Sequence, residues 1–98
     1  MSRIISIEDS NRKNKRYKVT LDDGQVFHFG LLGASTYLEH HNKQKREAYR
    51  KRHLGNETEK HLIEHLIPSP SLYSYYLLWG DSTHLMTNIN ILNRLLED

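Results

Sequence analysis

Cysteine is absent from the 98 residues, which removes disulfides, thiolate nucleophiles and cysteine-ligated zinc. No apolar run approaches the roughly 20 residues of a membrane span. The opening Met1 to Glu8 has no apolar core of signal-peptide length, so the expectation is a soluble chain that stays inside the cell and is not secreted. Prolines number two and apolar residues make up 37%. A chain this short buries only about 60 to 70% of its unfolded surface, which argues against a deep substrate cavity. The sequence also lacks a glycine-rich phosphate loop, a serine-nucleophile elbow and a close pair of candidate catalytic carboxylates. Without these motifs the expectation is a non-catalytic protein with no cofactor.

The residues that are present predict a single α+β domain over 1–98, with a β-meander over about 1–30 and a helical part over about 35–97. Ile5 and Ile7 alternate with polar neighbours, as do Tyr17, Val19 and Leu21, and both segments read as half-buried strands. Asp22-Asp23-Gly24 is a tight-turn signal before a third strand through Phe29, giving a three-stranded antiparallel meander. Three or four helices follow. Ser35, Thr36 or Asn42 caps a helix reaching about Leu54, before Gly55-Asn56. Thr58 starts a second, with Leu62, Ile63, Leu66 and Ile67 as its apolar stripe, which Pro68 and Pro70 end. Ser69 or Ser71 caps a third that carries Tyr73, Tyr75, Tyr76 and Trp79; Leu72, Tyr76 and Trp79 would share its core face. Ser82 or Thr83 opens the last, where Leu85, Ile89, Leu92 and Leu96 recur at helical spacing.

Charge is unevenly placed. Residues 1–20 carry six basic and two acidic side chains, residues 43–53 six basic and one acidic, and residues 54–98 two basic and six acidic. The helix after Tyr37 is polar on nearly every side, so it faces solvent or a partner. Lys43, Arg46 and Arg50 share one face; Lys45 and Arg52 share another. With Arg12, Lys13, Lys15 and Arg16 of the first loop, these cations form the kind of array that neutralises phosphates. Tyr49 and His53 would add stacking or hydrogen bonds. The plainer reading is a solvated helix, partly neutralised by Glu39-Lys43 and Glu47-Lys51 pairs. In the aromatic segment, Tyr73 and Tyr75 are candidates for an exposed edge that meets a protein partner.

Histidines supply two weaker patterns. His61-Leu62-Ile63-Glu64-His65 matches the His-x-x-Glu-His arrangement of inverted zinc peptidases, but such enzymes are larger and need a further acidic ligand downstream. His28, Asn42 and His53 follow the order of a metal-dependent nuclease, with no carboxylate near His53 in sequence except Glu47 and Glu57. The expectation is therefore no metal site. His28 is expected to pack on the sheet through a hydrogen bond, and His53 to meet the last carbonyls of its helix.

Several words then accumulate in order: Asp23-Gly24, His28-Phe29-Gly30, Tyr37 with His41, then Arg46, Tyr49 and Arg52-His53, and Pro70-Ser71-Leu72-Tyr73-Ser74 leading into Leu77-Leu78-Trp79. Over about Lys15 to Ile91 the chain resembles a family of short uncharacterised proteins of nucleocytoplasmic large DNA viruses. The resemblance implies a viral source and a place in host cytoplasm, nucleus or virion, and it supplies no catalytic residues. The function expected is binding of nucleic acid or another polyanion through the basic loop and helix. The alternatives are a virion assembly protein acting by protein contacts and, third, a small metal-dependent hydrolase.

Overall fold

A computed structural model describes residues 2–97. The order is β1 (Ile4–Asp9), β2 (Lys15–Leu21), β3 (Val26–Leu31), α1 (Tyr37–His40), α2 (Lys43–Leu54), α3 (Glu57–Glu64), α4 (Pro70–Tyr73) running on into a π-helical turn (Ser74–Leu78), and α5 (Leu85–Leu95). The strands form an antiparallel sheet in the order β1-β2-β3, so the α+β meander expected from alternation is what the chain builds. Val19, Leu21 and Phe29 point inward with no exposed surface, as their period of two requires. The β1 alternation differs. Ile4 pairs with Leu21 and Ser6 with Thr20, which makes Ile5 the extra residue of a bulge. Ile4 and Ile7 therefore face the core while Ile5 is 63% exposed.

The helical layer lies on that inner face. Ser69 accepts from the Leu72 amide and Pro70 occupies the first turn, a placement that uses proline's missing N–H. Leu72, Tyr73, Leu77 and Leu78 are buried against Phe29 and the inner face of α5, where Ile89, Leu92 and Leu96 sit. The π-turn inserts one residue into the helical count, so the fully buried face is Leu72, Tyr73, Leu77 and Leu78, while Tyr76 and Trp79, expected on it with Leu72, pack against the core half-buried. Gly30 sits where the two layers touch. It has φ +80°, and a Cβ there would meet Leu78 Cδ1 at 3.0 Å and Arg16 Cβ at 3.2 Å, so both conformation and space ask for glycine.

Thr36, Asn42 and Ser69 cap helices as named, whereas the starts of α3 and α5 shift by one or two residues. Thr36 caps only the four-residue α1; His41 then turns left-handed at φ 54°, and Asn42 caps α2 anew by accepting from the Lys45 amide. Asn56, not Thr58, caps α3. His84 precedes α5, while Ser82 is tied to Asn88. Asn88 and Asn93 are side-chain clips. Asn93 accepts from the Ile4 amide at 2.8 Å and donates to its carbonyl at 2.9 Å, which occupies polar groups of an edge strand.

Tyr73 is fully enclosed beside Phe27 and Phe29, and its hydroxyl has no hydrogen-bond partner among the described residues. Burial, with a smaller effect of Asp23, raises that hydroxyl's pKa. The expected protein contact through Tyr73 is therefore corrected, because a residue with no exposed surface offers no edge. An unpaired buried hydroxyl is a liability, so Tyr73→Phe is expected to raise stability by about 1 kcal/mol, whereas Tyr73→Ala costs about 3–5 kcal/mol. Urea denaturation of the two variants checks both signs.

Candidate functional site

The two basic segments meet across one cleft, but with a different set of cations from the one that spacing picks out. On α2, the face carrying Arg46, Tyr49, Arg50 and His53 turns inward and is half-buried. Long arginine stems supply cover there while their heads find acceptors. Arg50 Nε donates to the Trp79 carbonyl at 2.9 Å, and its terminal nitrogen meets Asp81 at 3.0 Å. Arg46 lies within 3.5 Å of the Gly80 and Asp81 carbonyls and over the Tyr37 ring at 4.7 Å. Both guanidinium groups thus sit at the C-terminal end of the π-turn, where carbonyls lack helical partners and the helix dipole favours cations. Arg46 and Arg50 are structural clamps, which corrects their assignment to phosphate binding. Tyr75 is half-buried with Arg50 over its ring at 5.5 Å, so it too is engaged within the molecule.

Arg16 is also removed from the set. It forms a two-pronged pair with Glu39, 3.0 and 2.6 Å, while Glu39 accepts from the Thr36 amide and hydroxyl in a capping box. Bonding to Arg16, then to Thr36, holds the Glu39 carboxyl down from the ordinary 4.5 to about 2. A depressed folded-state pKa contributes stability that is present above 4.5 and lost as pH falls through about 2. Glu39→Gln is therefore expected to lower stability at neutral pH and to flatten the acid limb of the stability curve between those values. Thermal denaturation across pH 2 to 7 reads both effects.

Tyr49 and His53 belong to a column of rings. Tyr49 stacks on Trp79 with centroids 4.3 Å apart and planes 8° apart, His53 lies 4.0 Å beyond Tyr49, and His40 packs on Trp79 at 5.2 Å. His53 Nδ1 bonds Glu59 at 2.6 Å rather than a carbonyl of its own helix. Burial, together with Glu59, pushes the Tyr49 hydroxyl up to about 12, so it stays protonated at neutral pH.

Within the two basic segments the cations left facing solvent are Arg12 and Lys13 of the first loop, Lys15 at the start of β2, and Lys43, Lys45, Lys51 and Arg52 of α2; none has a carboxylate partner among the described residues. Lys15 and Arg52 stand on an open cleft of about 500 Å³ walled by Leu31, Tyr49, Leu78 and Trp79, with hydroxyls from Ser35 and Ser74. Asn14 and Lys15 also line an adjoining depression with Arg12, Lys13 and Leu32. After burial, the neighbouring Arg12, Lys18 and Lys15 lower the pKa of His28. Sequence reasoning found the two charged segments but missed Leu31, Leu32, Glu59 and Asn88. The Gly30-Leu31-Leu32-Gly33 turn carried a usable signal, since two leucines between glycines on a turn have no core to enter.

The histidine patterns do not assemble. His28 Nδ1 bonds the Ser10 hydroxyl at 2.7 Å, Asn42 is spent on its cap, and His53 is held by Glu59. His61 and His65 are exposed with rings 4.5 Å apart, and no group of three potential metal ligands comes together among the described residues.

The architecture defines a small α+β protein in which a β-meander and a helical layer share one core, with a basic cleft at their junction. The chain belongs to a family of unknown function, DUF5754, whose model matches residues 5–53, the sheet together with α1 and nearly all of α2. Both charged segments, Lys15 and Arg52 included, fall within that match. No curated protein and no solved structure matches the chain.

Proposed function

We propose that this is a non-catalytic binding protein for nucleic acid or another polyanion, with Lys15 and Arg52 as its central contacts. The observation that carries the reading is the segregation of the cations. Arg16, Arg46 and Arg50 are consumed by carboxylates and carbonyls, while Lys15 and Arg52, the latter over the Tyr49 ring at 5.9 Å, line one cleft without a carboxylate partner among the described residues. Arg12 and Lys13 extend the positive track on one side, and Lys45 shares the outward face of α2 with Arg52. Unpaired cations at a concave surface attract phosphates through charge neutralisation and release of counterions.

Fluorescence anisotropy of labelled DNA and RNA across a salt series tests the reading, with inorganic polyphosphate as competitor. The expected result is binding that weakens steeply as salt rises. Absence of salt-dependent binding to all three anions sinks the proposal.

A further inference from the structure

The leucine turn beside Lys15 narrows the ligand further. Leu31 and Leu32 are 63% and 65% exposed, on a turn whose Leu32 amide bonds the Asn14 carbonyl. Leu31 lines the main cleft and Leu32 the adjoining depression, and Asn14 and Lys15 border both. Apolar side chains and solvent-facing cations therefore line two depressions that share Asn14 and Lys15 and reach from the first loop to α2. We infer that this surface takes single-stranded nucleic acid, with bases resting on Leu31 and Leu32 and phosphates on Lys15, Arg52 and the loop cations; this rests on the polyanion reading above.

The physical reason is the mismatch between a duplex and an apolar surface. A duplex turns phosphates and sugars outward and keeps its base faces stacked, so Leu31 and Leu32 would gain little from it. A single strand exposes base faces that apolar and aromatic platforms cover, beside a cationic groove that follows the backbone. The cleft supplies both, and Ser35 and Ser74 offer hydroxyls to base edges without demanding one base. The faces of Tyr49 and Trp79 are stacked on each other and flanked by the tilted rings of His53 and His40. The base platform is thus the leucine pair.

The test titrates the full chain with labelled oligothymidylate, oligouridylate and a blunt duplex of equal length, with polyphosphate and vesicles of phosphatidylcholine with or without phosphatidylserine as further arms. Wild type is expected to bind one or both single strands at least tenfold more tightly than the duplex. Leu31→Ser with Leu32→Ser is expected to lower single-strand affinity by about tenfold, the loss of the apolar cover that two leucines give to bases, while polyphosphate binding is unchanged. Circular dichroism of that variant should match wild type because both leucines are exposed. Equal affinity for duplex and single strand, or an unaffected leucine variant, overturns this inference and leaves the polyanion reading standing. Leucine-dependent binding to anionic vesicles without binding to single strands overturns it in favour of a lipid surface. No binding to nucleic acid or polyphosphate overturns both readings.

Discussion

Asn88→Ala is expected to lower stability by about 3 kcal/mol, and the melting temperature by roughly 12–24 °C for a domain of this size. Asn88 is buried and makes three hydrogen bonds: its Nδ2 donates to the Leu77 carbonyl at 3.1 Å and the Ser82 carbonyl at 2.8 Å, and its Oδ1 accepts from the Ser82 amide at 2.9 Å. Alanine keeps the helix but leaves those backbone groups without their partner, each a costly loss away from water. The turn between the π-helical segment and α5 has little slack to compensate. Gly80 packs so closely there that a Cβ would lie 2.0 Å from the Tyr76 carbonyl and 2.9 Å from Asn88. Differential scanning calorimetry of Asn88→Ala against the exposed Asn90→Ala separates the clip from helix propensity; Asn90→Ala should change little. Because the same turn holds Trp79, the sole tryptophan, its fluorescence should report the loosening before global unfolding.

Lys15→Glu combined with Arg52→Glu is expected to weaken nucleic-acid binding by roughly a hundredfold at low salt while leaving the fold intact. Both side chains are exposed and neither has a carboxylate partner among the described residues, so their removal leaves no buried group unsatisfied. Arg46→Ala with Arg50→Ala should behave in the opposite way. Those arginines hold the carbonyls of residues 79 to 81, so that variant should lose stability, and any loss of binding should follow the loss of folded protein. Anisotropy titrations paired with thermal melts of the two double variants distinguish a ligand-facing cation from a structural one.

The contrast between those pairs shows how far the sequence could be read. The strands of Tyr17 to Leu21 and Gln25 to Phe29 were legible because one buried sheet face imposes a period of two, although the third runs on through Gly30 to Leu31. The stripe of α5 was legible for the corresponding helical reason, whereas α3 stops at Glu64, so of its expected stripe Leu66, at φ 53°, and Ile67 lie beyond the helix. Charge runs located α2 and the first loop, yet helical spacing cannot say which side of a helix without an apolar stripe turns inward. Arg46 and Arg50 are decided by acceptors about 30 residues downstream, and Arg16 by Glu39. The Ile5 bulge and the π-turn each insert one residue, and either shifts every later side chain to another face without leaving a compositional mark. Asn88 and Asn93 look like ordinary polar positions on an amphipathic helix, and only the distant backbone groups they hold give them their weight.

The salt dependence of single-strand binding, compared between wild type and the Lys15→Glu, Arg52→Glu variant, tests the cleft most directly. Each lost phosphate contact should reduce the slope of log affinity against log salt by about 0.7 for a single strand, so removing two should make it shallower by about 1.4. A shallower slope of that size places both side chains on phosphates. Equal slopes for the two proteins would contradict the assignment of the cleft as the polyanion site.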